Sequence, residues 1–310
     1  MAMSERESLP RREDAVPSAG ACTHGVEAAI LDRIKRDVER RLIAGALEVP
    51  ALPLVADKIL QVSNDPAAGM QEIQRIVQGD PFLAGKILSL VNSAYYAGRQ
   101  RVTSLRQALV LLGVKTLQDI VFSLSLHQKV FTAKRYMEIL EENWQHSIAA
   151  AAACALVAEH LRVEREDAFL CGLLHDIGRP VLLQSVAQIE DTTLGGREIG
   201  TASVRVILDD LHEQIGAHVA RRWKLGANVV DAVEHHHDPA RAREHRTLAS
   251  IVYCGDRMAR HLGFGGEARE CGFRLDPVFD ELHLVDEDLL TRLLEAAGGQ
   301  ARSLLDAFRS

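Results

Sequence analysis

The stretch CGLLHDIGRPVLL, residues 171–183, places an imidazole and a carboxylate directly behind an apolar run. Burying His175 and Asp176 without partners would be costly. The pair therefore either binds a metal ion or forms a hydrogen-bonded clasp that shapes a packed turn. Neighbours on a helix diverge by about a third of a turn, so both side chains reach one ion only near a helix end. The run Gly178-Arg179-Pro180 predicts such an end.

The composition favours a helical protein. The chain has 310 residues, of which 47% are hydrophobic and only 5% aromatic. That length supports one large domain or two subdomains. Few aromatic side chains favour helices packed through small residues over β-sandwiches. We therefore predict an all-α, multi-helical fold.

The charge and the cysteines restrict the possible partners and location. The net charge of −7, from 43 acidic and 36 basic residues, argues against nucleic-acid binding, although residues 65–88 resemble a helix-turn-helix. The five cysteines form no CxxC pair, which is typical of a reducing compartment. The longest apolar stretch, residues 148–158, is too short to cross a bilayer. We predict a soluble, cytoplasmic protein with no membrane partner.

The periodicity along the chain divides it into segments. Residues 1–24 mix Ser, Pro, Glu and Arg without a pattern and predict a disordered leader, followed by an N-terminal helix within residues 25–46. In Asp80-Pro81 an N-cap residue precedes a proline at the first helical position. Residues 184–200 are predicted to be irregular and residues 263–279 to form a loop.

The placement of histidines and aspartates is more informative than their number. Imidazole and carboxylate together suit divalent iron, manganese or zinc. Taken singly, each residue also has an ordinary structural explanation. A histidine can make a hydrogen bond in the core, face solvent or lie at a helix terminus, and Asp256 can form an ion pair with Arg257 or Arg260. The candidates occur in the order His146, His175, Asp176, His212, His235, His236, His237 and Asp256.

The order H … HD … H … HH … D resembles the HD superfamily of metal-dependent phosphohydrolases. The resemblance implies a first metal held by His146, His175, Asp176 and Asp256. It implies further ligands at His212, His236 and His237, as in members with two metals. His235 has no counterpart in that pattern.

The flanking motifs narrow the resemblance to the HDOD domain. It rests on LPLVADKIL, DPFLAGKILSLVNSAYY, VTSLRQALVLLG, GLLHDIGRPVLL, HEQIGAHVARRWKL and EHHHDP. It implies an HDOD domain over residues 47–239, with an N-terminal helical subdomain at 47–135, an HD-like subdomain at 136–239 and a C-terminal helical extension at 240–310. The stretch after EHHHDP, ARAREHRT, lacks the GYP motif of cyclic-di-GMP phosphodiesterases.

Two functions follow from this resemblance, and both remain open at this point. The first is a bacterial signal-transduction module that regulates through contacts with signalling proteins and carries a retained or vestigial divalent-metal site. The alternative is a metal-dependent HD-type phosphohydrolase acting on a phosphoester or nucleotide, with Arg179 as the candidate phosphate-binding group. Asn92, Tyr95 and Tyr96 either contact a partner or fasten their helix to its neighbour.

Overall fold

The computed structural model describes residues 19–63, 70–93, 96, 102–129, 133–266, 268 and 270–309. Within these residues the secondary structure consists of α-helices and short 3₁₀ turns, with no strand, which confirms the predicted all-α class. The helices are α1 Ala19–Ile43, α2 Leu54–Ser63, α3 Met70–Gln78, α4 Pro81–Val91, α5 Leu105–Lys129, α6 Met137–Leu161, α7 Arg165–Leu174, α8 Gly178–Thr192, α9 Thr201–Arg222, α10 Ala227–His235, α11 Arg246–His261, α12 Pro277–Glu281 and α13 Glu287–Arg309.

Helices α2 to α5 pack around a core that they share with α6, α7 and α13. Its fully buried side chains include Ile59, Ile73, Ile87, Leu117 and Ile120. The predicted N-cap is present, because the Asp80 carboxylate accepts a hydrogen bond of 3.1 Å from the Leu83 amide. Gly113 interrupts α5 with a non-helical φ of 77° and ψ of 172°, so that one helical segment ends there and a second follows across a kink.

Helices α6 to α11 form the second set, with α6 at its centre. The alanine-rich face of α6 is fully buried against α7 and α11. Gly172 and Gly255 allow this close approach: a Cβ at Gly172 would lie only 2.7 Å from Cys154 Sγ, and one at Gly255 would clash with the same atom. The tight crossing brings the beginning of α6, the end of α7 and the middle of α11 together.

Three predictions about local structure were wrong. Residues 184–192, predicted to be irregular, belong to α8, because Val186 and Ile189 continue its buried face. Helix α1 begins at Ala19, within the predicted leader, and residues 1–18 lie outside the described residues. The predicted loop 263–279 contains a turn of helix that Asp276 caps by accepting a hydrogen bond from the Val278 amide.

Helix α13 connects the two sets of helices. It packs along α6 and against α4, where Lys86 donates a hydrogen bond of 2.9 Å to the Phe308 carbonyl oxygen. The Phe308 ring meets the edge of Trp144, two residues from His146. Among the residues that the structure describes, no helix combines the length and hydropathy of a membrane span.

Candidate metal centre

Four of the predicted ligands converge in a first group. His146 comes from α6, His175 and Asp176 from the turn after α7, and Asp256 from α11, and all four side chains are buried. His146 Nε2 lies 2.8 Å from Asp256 Oδ1 and 3.2 Å from His175 Nε2. His175 Nε2 lies 3.6 Å from Asp176 Oδ2. Residues as far as 110 positions apart thus present their polar atoms to one point.

The remaining three predicted ligands form a second group. His212 projects from α9, and His236 and His237 follow the end of α10. His212 Nε2 lies 3.2 Å from His236 Nε2 and 3.0 Å from His237 Nε2. His212 and His236 are buried, whereas His237 is exposed. His235 lies outside the group, with its Nε2 3.7 Å from Asp231.

Asp176 lies between the two groups. Its Oδ2 is 3.6 Å and 3.9 Å from the Nε2 atoms of His175 and His146. Its Oδ1 is 3.3 Å from Nε2 of His212 and 3.8 Å from Nε2 of His236. In the described part of the chain this buried Oδ1 accepts no hydrogen bond. The carboxylate is therefore placed to bridge two cations.

Backbone carbonyl groups fix the orientation of four imidazole rings. An Nδ1–H that donates to a carbonyl oxygen leaves the lone pair of Nε2 available to a metal. The Nε2 atoms approach one another at 3.0–3.2 Å, where two lone pairs would repel unless a cation or proton lay between them. The Nδ1–carbonyl pairs are His175 with Gly172 at 2.7 Å, His212 with Leu208 at 2.7 Å, His236 with Val233 at 2.8 Å, and His146 with Phe264 at 3.3 Å.

Burial keeps the second group of histidines neutral. It lowers the pKa of His212 to about 4. It also lowers the pKa of His236 well below the ordinary imidazole value, and the partial burial of the His237 ring lowers the pKa of His237 as well. A neutral imidazole is the form that coordinates a metal ion.

The carboxylates are ionised in spite of their burial. Burial alone would raise the pKa of Asp176, but Arg179 and the neighbouring imidazoles hold it well below its usual range. The pKa of Asp256 is also held low against burial by its contacts with His146 and His175 and by the charge of Arg260. These two carboxylates in turn raise the pKa of His175 against the effect of its burial. Both carboxylates are thus anionic, which is the form that binds a metal ion.

Two glycines bring α8 and α9 together beside Asp176. A Cβ at Gly178 would clash with the His212 carbonyl oxygen and lie 2.6 Å from the Gly216 amide nitrogen. Because both neighbours are backbone atoms, a change of side-chain rotamer cannot relieve the clash. The absence of a side chain at Gly178 is therefore what lets His212 approach the carboxylate.

The loop after α11 contributes residues that the sequence analysis missed. Gly265, with φ of +82°, lies so close to α6 that a Cβ would come within 2.6 Å of His146 Cβ. The preceding residue, Phe264, supplies the carbonyl oxygen that orients His146. The only sign in the sequence is the glycine-rich run GFGG, which permits close backbone approach without indicating to what.

The donor set fits a divalent ion. In each of two groups, His146 with His175 and Asp176, and His212 with His236 and His237, the ligand atoms lie within 4.8 Å of one another. Imidazole nitrogens with a few carboxylate oxygens suit iron, manganese or zinc. The buried and unpartnered Oδ1 of Asp176 is the strongest sign that a cation belongs here.

A cavity of about 580 Å³ opens beside the first group. Arg179, the predicted phosphate-binding residue, lines it, with Nε 2.8 Å from Asp176 and a terminal nitrogen 3.0 Å from Asp209. Arg205 and Arg260, which the sequence analysis did not assign to a phosphate, line it too. The ion pair suggested between Asp256 and Arg260 is present at 2.8 Å, in addition to the contact of Asp256 with His146.

The candidate partner residues that the structure describes, Asn92 and Tyr96, do not line this cavity. The Asn92 side chain donates to the carbonyl oxygens of Leu88 and Val102 and accepts from the Val102 amide, at 2.7–2.8 Å. It therefore fastens the end of α4 to the following segment. Tyr96 is partly buried against the core of the first set, and Tyr95 lies outside the described residues.

Comparison with solved structures identifies the class of fold. A protein from Shewanella amazonensis SB2B, named "Putative metal-dependent phosphohydrolase", superposes with a TM-score of 0.73 over 90% of this chain and 99% of its own, at 19% identity. A "Putative signal transduction protein" from Marinobacter aquaeolei VT8 gives a TM-score of 0.64 over 91% of this chain and 66% of its own, at 22% identity. The chain therefore shares the all-helical fold of these two structures.

The family can be stated more narrowly. The HDOD domain model matches residues 49–239, and the chain belongs to that family. An uncharacterized protein of Treponema pallidum (strain Nichols) is 24% identical over 69% of this chain and 43% of its own length. Ribonuclease Y of Thermus thermophilus is 34% identical over 37% of this chain and 16% of the enzyme. The chain thus spans less than half the length of these curated relatives.

Proposed function

We propose that this protein is a regulatory HDOD module of the bacterial cytoplasm that acts through contacts with signalling proteins and carries a divalent-metal centre in its second set of helices. Membership of the HDOD family and the name of the Marinobacter neighbour support the signalling role. Four free cysteines among the described residues are in keeping with a reducing compartment. The predicted subdomain boundaries, 47–135 and 136–239, are part of this proposal.

The metal centre rests on one observation, the buried Oδ1 of Asp176, which accepts no hydrogen bond from any residue that the structure describes. A buried carboxylate oxygen without a partner is costly, and here it faces imidazoles whose lone pairs also point inward. The first ion would be held by His146, His175, Asp176 and Asp256, and the second by His212, His236, His237 and Asp176. A bound divalent ion supplies Lewis acidity and lowers the pKa of its water toward neutrality.

Metal content tests this centre. Protein purified without affinity metals and reconstituted with manganese should hold about two equivalents by elemental analysis. His236→Ala should reduce this to about one, since it removes a ligand of the second group only. His235→Ala is the matched control, because His235 is the adjacent imidazole and is not a ligand. Wild-type protein that binds no metal, or equal loss in both variants, would contradict the centre.

A signalling role requires a path from the first set of helices to the centre. Helix α5 packs against α7, whose end leads into His175. Lys115 forms an ion pair of 2.8 Å with Asp167, and Thr116 donates to Glu166 at 3.3 Å. A partner that shifts α5 would thereby move α7 and the turn that holds the ligands.

The exposed part of α5 offers a surface for such a partner. Val110 and Leu111 are 74% and 47% exposed. Replacing both by Asp should abolish co-purification of a specific protein from a lysate of the source bacterium while leaving the metal content unchanged. Leu275→Asp, at a 92% exposed apolar residue elsewhere, is the control. Recovery of the same partner with the double variant would exclude this surface.

Hydrolysis of a phosphoester is the second candidate function. The observation that favours it is the arginine-lined cavity directly beside the first group of ligands. The name of the Shewanella neighbour supports the same chemistry. Manganese-loaded protein should then turn over a panel of phosphodiesters and nucleotides, and Asp176→Asn should abolish the turnover. Absence of turnover in metal-loaded wild-type protein would leave the regulatory role as the function.

A further inference from the structure

His146 is held differently from three other histidines of the metal centre. His175, His212 and His236 each direct Nδ1 at a carbonyl oxygen three or four residues earlier in the chain, at 2.7–2.8 Å. Such contacts form within the local turn and need no other part of the molecule. The partner of His146 is the carbonyl oxygen of Phe264, 118 positions later, at 3.3 Å. The orientation of the His146 ring therefore depends on a distant segment.

The end of α11 fixes the backbone of that segment. Gly263, with φ of +77°, donates from its amide to the Arg260 carbonyl oxygen at 3.1 Å. The Phe264 amide donates to the Ala259 carbonyl oxygen, also at 3.1 Å. These two hydrogen bonds form a Schellman motif, in which a glycine in the left-handed conformation ends the helix. The Phe264 ring packs against a cluster of buried alanines contributed by α6, α11 and α13, so three helices hold the carbonyl group that orients His146.

The same helix contacts both nitrogens of the His146 ring. Asp256, on α11, places Oδ1 2.8 Å from Nε2 of His146, and Phe264 faces Nδ1 from the end of that helix. A shift of α11 against α6 would thus displace one ligand of the first site and turn another. Both contributions come from beyond residue 239, where the HDOD match ends. The ligands proposed for the second site all lie within residues 176–237.

Gly265 allows the segment to reach α6. A Cβ at Gly265 would lie 2.6 Å from His146 Cβ and 2.8 Å from the Glu142 carbonyl oxygen. Both atoms belong to or adjoin the backbone of α6, so a side chain at this position would push the segment away from that helix. The Phe264 carbonyl group would move with it. At 3.3 Å its contact with His146 is already at the long end of hydrogen-bond distances, so a small displacement breaks it.

We propose that Phe264 and Gly265 are positioning residues of the first metal site, and that this site, unlike the second, forms only when the end of α11 is docked against α6. The Phe264 carbonyl oxygen holds the proton on Nδ1 of His146 and so leaves the lone pair of Nε2 for a metal. Occupancy of the first site then responds to movement of the C-terminal helices. This inference rests on the proposed metal centre.

Manganese titrations of proteins with one site each test this assignment, with free manganese followed by electron paramagnetic resonance. His236→Ala leaves the first site alone, and Asp256→Asn leaves the second. In the His236→Ala background, Gly265→Ala should weaken manganese binding by roughly 10–100-fold, the usual effect of losing a group that orients a ligand. In the Asp256→Asn background, Gly265→Ala should leave the affinity unchanged, which also shows that the variant is folded.

Gly266→Ala is the matched control. Gly266 is the next residue and also has a positive φ, +145° against +82° for Gly265, but a Cβ there would have no atom of the described residues within 4 Å. Its replacement therefore strains the backbone without touching α6, and the first site should keep its affinity.

A spectroscopic measurement separates positioning from a general structural effect. In zinc-loaded protein with nitrogen-15-labelled histidine, the Nδ1 proton of His146 should be protected from exchange with water in wild type and Gly266→Ala and exchange rapidly in Gly265→Ala. Equal first-site affinity in the two glycine variants, or equal weakening of both sites in Gly265→Ala, would overturn the positioning role while leaving the metal centre intact. Wild-type protein that binds no manganese would instead refute the centre itself.

Discussion

The bridging position of Asp176 makes a strong prediction about metal content. Because its two carboxylate oxygens face different groups of histidines, Asp176→Asn should weaken both metal sites at once. The amide keeps the size of the side chain but loses the negative charge, and its nitrogen cannot coordinate a metal. Asp256→Asn, by contrast, alters the first group only. We therefore expect the first variant to lose both equivalents of metal and the second to lose about one.

Metal binding should also stabilise the fold, and this stabilisation should depend on Asp176 at both sites. A metal held at a hundred times its dissociation constant adds about 2.7 kcal/mol to the free energy of unfolding for one site. At about 2–4 °C per kcal/mol for a protein of this size class, chelation should lower the Tm of wild-type protein by about 5–10 °C per site. Asp176→Asn should show almost no response to the chelator, since neither site would be filled.

The assay is thermal unfolding followed by circular dichroism, with and without chelator, combined with elemental analysis. His235→Ala serves as the control and should keep the full response, because His235 belongs to neither group. A chelator-dependent Tm in Asp176→Asn equal to that of wild type would show that each group binds its ion without the shared carboxylate. The bridge, and with it the argument from the unpartnered Oδ1, would then be wrong.

Three further predictions concern packing, pH and the partner residues. Gly178→Ala should lower the free energy of unfolding by about 1–3 kcal/mol in a denaturant titration and weaken metal binding by the His212 group, because the new Cβ meets backbone atoms. Gly85→Ala is the control: Gly85 lies on α4 with open space around it, so this variant should raise the free energy of unfolding by about 0.5–1 kcal/mol. Burial raises the pKa of Asp119 well above its usual value, so its contribution to stability is present at low pH and is lost as the pH rises through the folded-state pKa. Asp119→Asn should therefore raise the free energy of unfolding at pH 7, and a gain that persisted undiminished at pH 4 would contradict this reasoning. Asn92→Ala should destabilise by about 1–3 kcal/mol without changing metal content, and destabilisation below about 0.5 kcal/mol would show that its three hydrogen bonds do not hold α4.

The histidines and aspartates were recognisable as a set because their order along the chain resembles a known pattern. The order alone left the environment of each residue open. His212, for which a solvent-facing or capping position was equally acceptable, is buried at the centre of the second group. His237, two residues after the end of α10, is exposed, and its Nε2 still lies 3.0 Å from Nε2 of His212. Burial depends on which helices pack over a residue, and the order of ligands carries no information about that.

The sequence by itself determined the helical class, the helix that begins at Asp80-Pro81 and the identity of the seven candidate ligands. Helical periodicity and capping act between residues a few positions apart, so they can be recognised locally. Segment 184–192 was missed because the glycine and proline that begin its helix equally match the pattern of a helix end.

Only the tertiary structure decided how these residues meet. The approach of α8 to α9 depends on backbone contacts between Gly178 and His212, which are far apart along the chain. The ring orientations depend on carbonyl oxygens such as that of Phe264, and the charge of the cavity depends on Arg205 and Arg260 arriving from different helices. Each is a contact between distant segments whose geometry is set by helix packing, and no local pattern encodes it.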